Sequence, residues 1–104
     1  MASKLLCFQF TMSGQQVWTA PTDVVLESVV VDAQSVDVLV STDPSADASQ
    51  LGSADQLWEN CIAAISAGST YPQGRVFSTP VLAGEMVYVS ADNHCVVSVY
   101  YSVS

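Results

Sequence analysis

Basic residues are nearly missing from this sequence: Lys4 and Arg75 are the only two in 104 residues, against ten carboxylates and a formal net charge of −8. Such a surface repels phosphate backbones and anionic lipids, so neither nucleic acid nor a membrane is an expected partner. Solubility explains the acidity more simply than cation steering does. Histidine occurs once, at His94. A multi-histidine metal site is therefore excluded, and a Ser-His-Asp triad would rest on that one residue. Its neighbours Asp92 and Asn93 are ordinary turn residues, and a turn is the expected role of the group. No serine lies in a G-x-S-x-G elbow and no glycine-rich loop is built to cradle phosphate, so no enzymatic activity, catalytic residue or cofactor is expected. Long apolar runs are absent as well. Half the residues are apolar, yet no run approaches the ~20 residues that span a bilayer. The opening MASKLLCFQF lacks the extended apolar region and small-residue cleavage site of a secretory signal. A soluble protein is the expectation. The cysteines, Cys7, Cys61 and Cys95, are odd in number and widely spaced in apolar context. That is unlike a disulfide framework or a zinc knuckle and fits reduced core residues made in a reducing cytoplasm, with one bridge plus a free thiol as the alternative.

What is abundant is valine, 17 residues, and serine plus threonine, 21 together. That balance favours strands over helices. A chain of this length forms one domain, residues 1–104, able to bury roughly 60 to 70% of its unfolded surface. The clearest pattern is Pro80 to Tyr101. Met86, Tyr88 and Ser90 alternate with Val87, Val89 and Ala91; after the corner 91–94, Cys95, Val97, Val99 and Tyr101 alternate with Val96, Ser98 and Tyr100. Period two on both sides of an Asp-Asn turn predicts an antiparallel hairpin. A second hairpin is predicted from Val24–Val31 and Val36–Thr42, where Val36, Val38 and Val40 oppose a wetter set, Asp37, Leu39 and Ser41. Lys4–Phe10 reads as a first strand with bulk on both faces, Leu5, Cys7 and Gln9 opposed to Leu6, Phe8 and Phe10. Gln15–Ala20 follows, ended by Pro21 at an edge or at a switch between sheets. Asp43–Ser53 is the longest irregular stretch, expected at the rim. Ala54–Ser66 carries a capping-box pattern, Ser53 with Gln56, and an apolar stripe of helical spacing, which predict a short helix; a strand over Cys61–Ser66 is the alternative. Arg75–Thr79 is a further short strand. The sum is an all-β, antiparallel β-sandwich, jelly-roll-like, of seven or eight short strands with at most one short helix.

Candidate binding residues are few. Asp43 and Asp47, with Asp55 further on, offer hard oxygens for calcium but lack the order and glycine of an EF-hand loop. Trp18, Trp58, Tyr71, Tyr88, Tyr100 and Tyr101 include candidates for a sugar-stacking platform, foremost Trp18, Tyr71 and Tyr100, although core packing accounts for most such rings. With almost no lysine to blunt strand edges, oligomerisation is the expected protection.

The strand ending VWTAP at Val17–Pro21, the segment VLVSTDPSAD at Val38–Asp47 and the late PVLAGEMVYVSA at Pro80–Ala91 together resemble small jelly-roll-like proteins of tailed bacteriophages, over about Gly14 to Val103. The resemblance is one of pattern. It implies a capsid decoration, or cement, protein: a structural virion component made in the host cytoplasm, a homotrimer that binds the major capsid protein and stabilises the shell. It carries no active residue with it. On that reading the preferred shell contact is the first strand, apolar on both faces, through Leu5, Leu6, Phe8 and Phe10. The alternative is a fibre or tail-tip module that binds a receptor or glycan through its exposed aromatics and rim loops.

Overall fold

A computed structural model of the chain describes residues 4–32, 36–45, 47–48, 61–66 and 73–104. Among these residues every regular element is a strand: β1 (Lys4–Phe10), β2 (Gly14–Thr19), β3 (Val24–Asp32), β4 (Asp37–Ser41), β5 (Cys61–Ser66), β6 (Gln73–Val81), β7 (Met86–Ala91) and β8 (Cys95–Val103). They form two antiparallel four-stranded sheets, ordered β1-β8-β3-β6 and β2-β7-β4-β5. The protein is an all-β sandwich. The pairs are nested, β4 with β5 innermost, then β3 with β6, β2 with β7, and β1 with β8 outermost. Alternate pairs fall in alternate sheets.

This nesting overturns both predicted hairpins. β7 pairs with β2 and β4, while β8 pairs with β1 and β3. β3 and β4 likewise lie in different sheets. Only β4 and β5 are both consecutive and paired. The short polar segments read as hairpin turns are corners that carry the chain from one layer to the other. A period of two specifies a strand and its buried face but is silent on which neighbour it bonds. The corner at 92–94 is tied to β4: the Asp37 N–H donates to Asp92 Oδ1 at 2.8 Å and the Asp92 N–H donates to the Asp37 carbonyl at 3.1 Å. Pro21 does mark a switch between sheets, as the chain leaves β2 for β3.

The faces follow the alternation. Val87, Val89 and Ala91 of β7 and Cys95, Val97 and Val99 of β8 point into the core, where they meet Val24, Leu26, Val29 and Val31 of β3. The spacing from Leu26 to Val29 is odd because a register shift between Leu26 and Ser28 resets the phase of β3, so its strand keeps valines inward on both sides of the irregularity. β6, longer than the predicted Arg75–Thr79, accommodates Pro80 because it is an edge strand, bonded to β3 alone. Opposite it, Gly84 takes φ +89°, and its N–H donates to the Ala20 carbonyl at 2.8 Å, closing the turn that feeds β7.

Two further expectations are corrected. Cys61–Ser66 is a strand, paired with β4, and not the end of a helix; residues 54–60 of the predicted helix lie outside the described residues. Neighbouring strand edges supply partners for backbone groups that a lone amphipathic helix would have to satisfy internally. The stretch after β4 does not stay at the rim either. Ala48 is fully buried on the outer face of the second sheet, its N–H donating to Ser90 Oγ at 3.0 Å, and Gln15 Nε2 donates to the Pro44 carbonyl at 3.0 Å. Leu39 and Ser41, read as part of a wetter face, are accordingly buried.

Candidate docking surface

The two outer faces of the sandwich therefore differ. On the β2-β7-β4-β5 sheet, Leu39, Ser41 and Ser90 are buried and Ala48 of the chain following β4 bonds Ser90, while Val17 and Met86 at the β2-β7 side stay exposed. On the β1-β8-β3-β6 sheet the face is open. Its residues come from the alternate positions that the core does not use, and cross-strand register sets them in rows. Leu5, Tyr100, Ser28 and Val76 form one row, from β1 through β8 and β3 to β6. Cys7, Ser98, Val30 and Gly74 form the next, and Ser102, Val25 and Pro80 lie beyond the first. Leu5 is 53% exposed, Tyr100 37% and Val76 86%. No charged residue occupies these three rows.

Most of the described carboxylates lie away from these rows. Asp32 ends β3, and Asp37 and Asp92 stand together at the same end of the sandwich. Asp23 and Glu85 gather at the other end, where Asp23 Oδ1 accepts from the Ala83 N–H and Glu85 Oε1 from the Leu82 N–H. Asp43 and Asp47 belong to the segment over the opposite sheet. Glu27 sits at the irregularity of β3. A partly apolar face whose cross-strand rows hold no charge, with Glu27 at the β3 irregularity as its one described carboxylate between the strand ends, is a surface suited to protein contact.

The predicted contact strand divides across this geometry. Leu5 is on the open face and Leu6 packs, half-buried, against the core. Phe8 and Phe10 are core residues, 7% and 6% exposed, and are withdrawn as contact residues. They point inward because β1 is an outer strand of a two-layer sandwich with one dry face, and the bulky phenyl rings take that face. Register to Tyr100 and Val76, on strands distant in sequence, is what sequence reading missed. The odd apolar residue on an otherwise polar side, Val76 between Arg75 and Phe77, was the available signal.

The proposed aromatic platform is not assembled. The Trp18 and Tyr101 rings meet at 5.2 Å between centroids, tilted by 49°, each reaching inward from its own sheet to pack on the core. Tyr100 faces the opposite way, and Tyr71 and Trp58 lie outside the described residues. Of the proposed calcium ligands, Asp43 is engaged locally: its Oδ1 accepts from the Ser45 N–H at 2.9 Å and the Ser45 hydroxyl at 2.7 Å, which hold its carboxyl below the usual range. Asp47 lines a shallow cleft of about 440 Å³ with Ser13, Gly14, Gln15, Ser45, Ser90 and Ala91; Asp55 lies outside the described residues. No group of three metal-ligating side chains occurs among the described residues. His94 is exposed in the 92–94 corner, its N–H donating to Asn93 Oδ1. Cys7 is an exposed free thiol on the open face and Cys95 a buried one. Comparison with protein-family models, with curated proteins and with solved structures finds no match for this chain.

Proposed function

We propose that the protein is a structural interaction protein of a virion, a capsid decoration protein that seats the open face of its β1-β8-β3-β6 sheet on the shell and bridges subunits. The observation that supports this reading is the uncharged row Leu5, Tyr100, Val76 in a chain of net charge −8. The nested strand order adds to it, since pairing 1 with 8, 2 with 7, 3 with 6 and 4 with 5 is the winding of a jelly roll, an architecture used by viral capsid domains. A ligand that binds only the assembled shell stabilises it by mass action, about 2.7 kcal/mol at 100-fold saturation. The test is co-sedimentation with shells of the parent phage and the temperature at which those shells open. Wild type co-sediments at fixed stoichiometry and raises that temperature, whereas Leu5→Asp, Tyr100→Asp and Val76→Asp, each on an exposed position, lose both effects. Unchanged binding by all three overturns the face assignment. Deleting residues 1–10 is not an equivalent experiment, because it removes Phe8, Phe10 and a whole strand from the core.

One observation favours a second reading, a receptor- or glycan-binding module. The cleft formed by Ser13, Gln15, Ser45, Asp47 and Ser90 offers hydroxyl, amide and carboxylate groups of the kind that bond sugar hydroxyls. A specific hit on a glycan array, abolished by Asp47→Ala, together with no shell binding, replaces the first reading by this one.

A further inference from the structure

We propose that the open edge of β1 pairs with the β1 edge of a second copy of this chain, joining two four-stranded sheets antiparallel across a two-fold axis. The direction of the β1 backbone groups can be read from one bond. Gln16 Nε2, reaching over from β2, donates to the Gln9 carbonyl at 2.7 Å, so the Gln9 carbonyl points away from β8. In an antiparallel strand the N–H and C=O of one residue point to the same side, and sides alternate along the chain. Leu5 and Cys7, on the same parity as Gln9, therefore present both groups to the open edge, while Leu6, Phe8 and Phe10 bond β8. Gln16 blocks the position at Gln9. What remains is a short template at Leu5 and Cys7.

Its surroundings fit a copy of the same chain. A strand that pairs there must approach a protein of net charge −8, and a second copy brings the same −8. The approach is least opposed where neither carries acid. The first carboxylate in the sequence is Asp23, so β1 and β2, which lie on the same side of the sandwich, contain none and carry only Lys4. β1 also lacks the devices that protect edges: its register with β8 is unbroken and it holds no proline, whereas the opposite edge strand, β6, has an irregular register and Pro80. A two-fold axis through Leu6 sets Leu5 of one copy opposite Cys7 of the other, each N–H donating to the other's carbonyl, with no use of Gln9. That register brings the half-buried Leu6 side chains together and runs the open face, Leu5 and Tyr100 included, continuously through both copies.

The inference does not depend on the shell-binding reading, and its test uses the protein alone. Sedimentation velocity under reducing conditions, across a concentration series, is expected to show a monomer–dimer equilibrium. Leu5→Pro removes an N–H that points outward and leaves the β1–β8 ladder intact; losing that bond from both copies weakens the dimer about tenfold or more. Cys7→Asp, at an exposed position, adds a carboxylate on each side of the axis and has the same effect. Val76→Asp, on the far edge strand, leaves the dimer unchanged. Circular dichroism and the thermal midpoint verify that each variant is folded, and Cys7→Asp decides the matter should Leu5→Pro unfold. A protein that is monomeric at every concentration, that sediments as a trimer, or whose dimer survives Cys7→Asp overturns the proposal.

Discussion

Cys95 shows how one side chain reports on the interior around it. It points into the sandwich from the first position of β8, opposite Phe10. Burial, and secondarily the negative charge of Asp92, push its thiol up from 9.0 to about 11. The folded state thus holds the proton more tightly than the unfolded chain. The stabilisation is fully present below pH 9, falls as pH rises because the unfolded chain ionises first, and is spent by about pH 11, where the native thiol ionises too. Measured on a Cys7→Ser, Cys61→Ser background, the urea midpoint is expected to decline across that interval, and Cys95→Ala to flatten the decline. A thiol reagent is expected to modify Cys7 in the native wild type at once and Cys95 only as the protein unfolds.

At the scale of the element, the segment after β4 is tied to its sheet by side-chain bonds, of which Ala48 N–H to Ser90 Oγ is the buried one. Ser90→Ala strands that N–H away from water, a loss of about 1–3 kcal/mol. The urea midpoint is expected to fall with the m-value unchanged, since the strands beneath still unfold as one unit. A wild-type midpoint in this variant would show that the covering segment contributes nothing to stability. The strands themselves were legible in the sequence: β1, β2, β3, β4, β7 and β8 all stand within two residues of where alternation places them, and the sets Val87, Val89, Ala91 and Cys95, Val97, Val99, grouped by alternation, each share a face, which the structure turns inward. β5 was legible only as the alternative to a helix, because CIAAI has no period that separates a strand from a buried helical turn. The half-legible case is β4. Asp37, Leu39 and Ser41 share a face as the pattern requires, but Leu39 and Ser41 are dry, which the pattern does not show.

For the molecule as a whole, the nested order has a kinetic consequence. The outermost pair joins the first strand to the last, Lys4 opposite Tyr101, so nearly the full chain must be closed before that ladder forms. Stopped-flow refolding is expected on the millisecond-to-second scale typical of sandwiches rich in non-local pairs; a microsecond phase carrying the full amplitude would contradict this topology. The same order brings β1 and β2, the acid-free opening of the chain, to one side of the sandwich and, Glu27 apart, leaves the described carboxylates at its ends and over the opposite sheet. Association at that side and docking on the open sheet are both consequences of where topology places charge.

Composition and period two by themselves determined an acidic, lysine-poor β protein whose strands have definite inward faces, because burial alternates with the pleat regardless of which strands are neighbours. They also determined that Phe8 and Phe10 share a face and that Leu5 lies on the other. Which of those faces is dry, which strands bond, and which outer face a loop covers were decided only by tertiary structure. A short polar segment serves equally well as a hairpin turn or as a corner between layers, and that choice rests on contacts between residues tens of positions apart, such as Leu5 with Tyr100 and Ala48 with Ser90. The open docking face exists for the same reason: its row of Leu5, Tyr100, Ser28 and Val76 is assembled from four strands and adjacent in none of them.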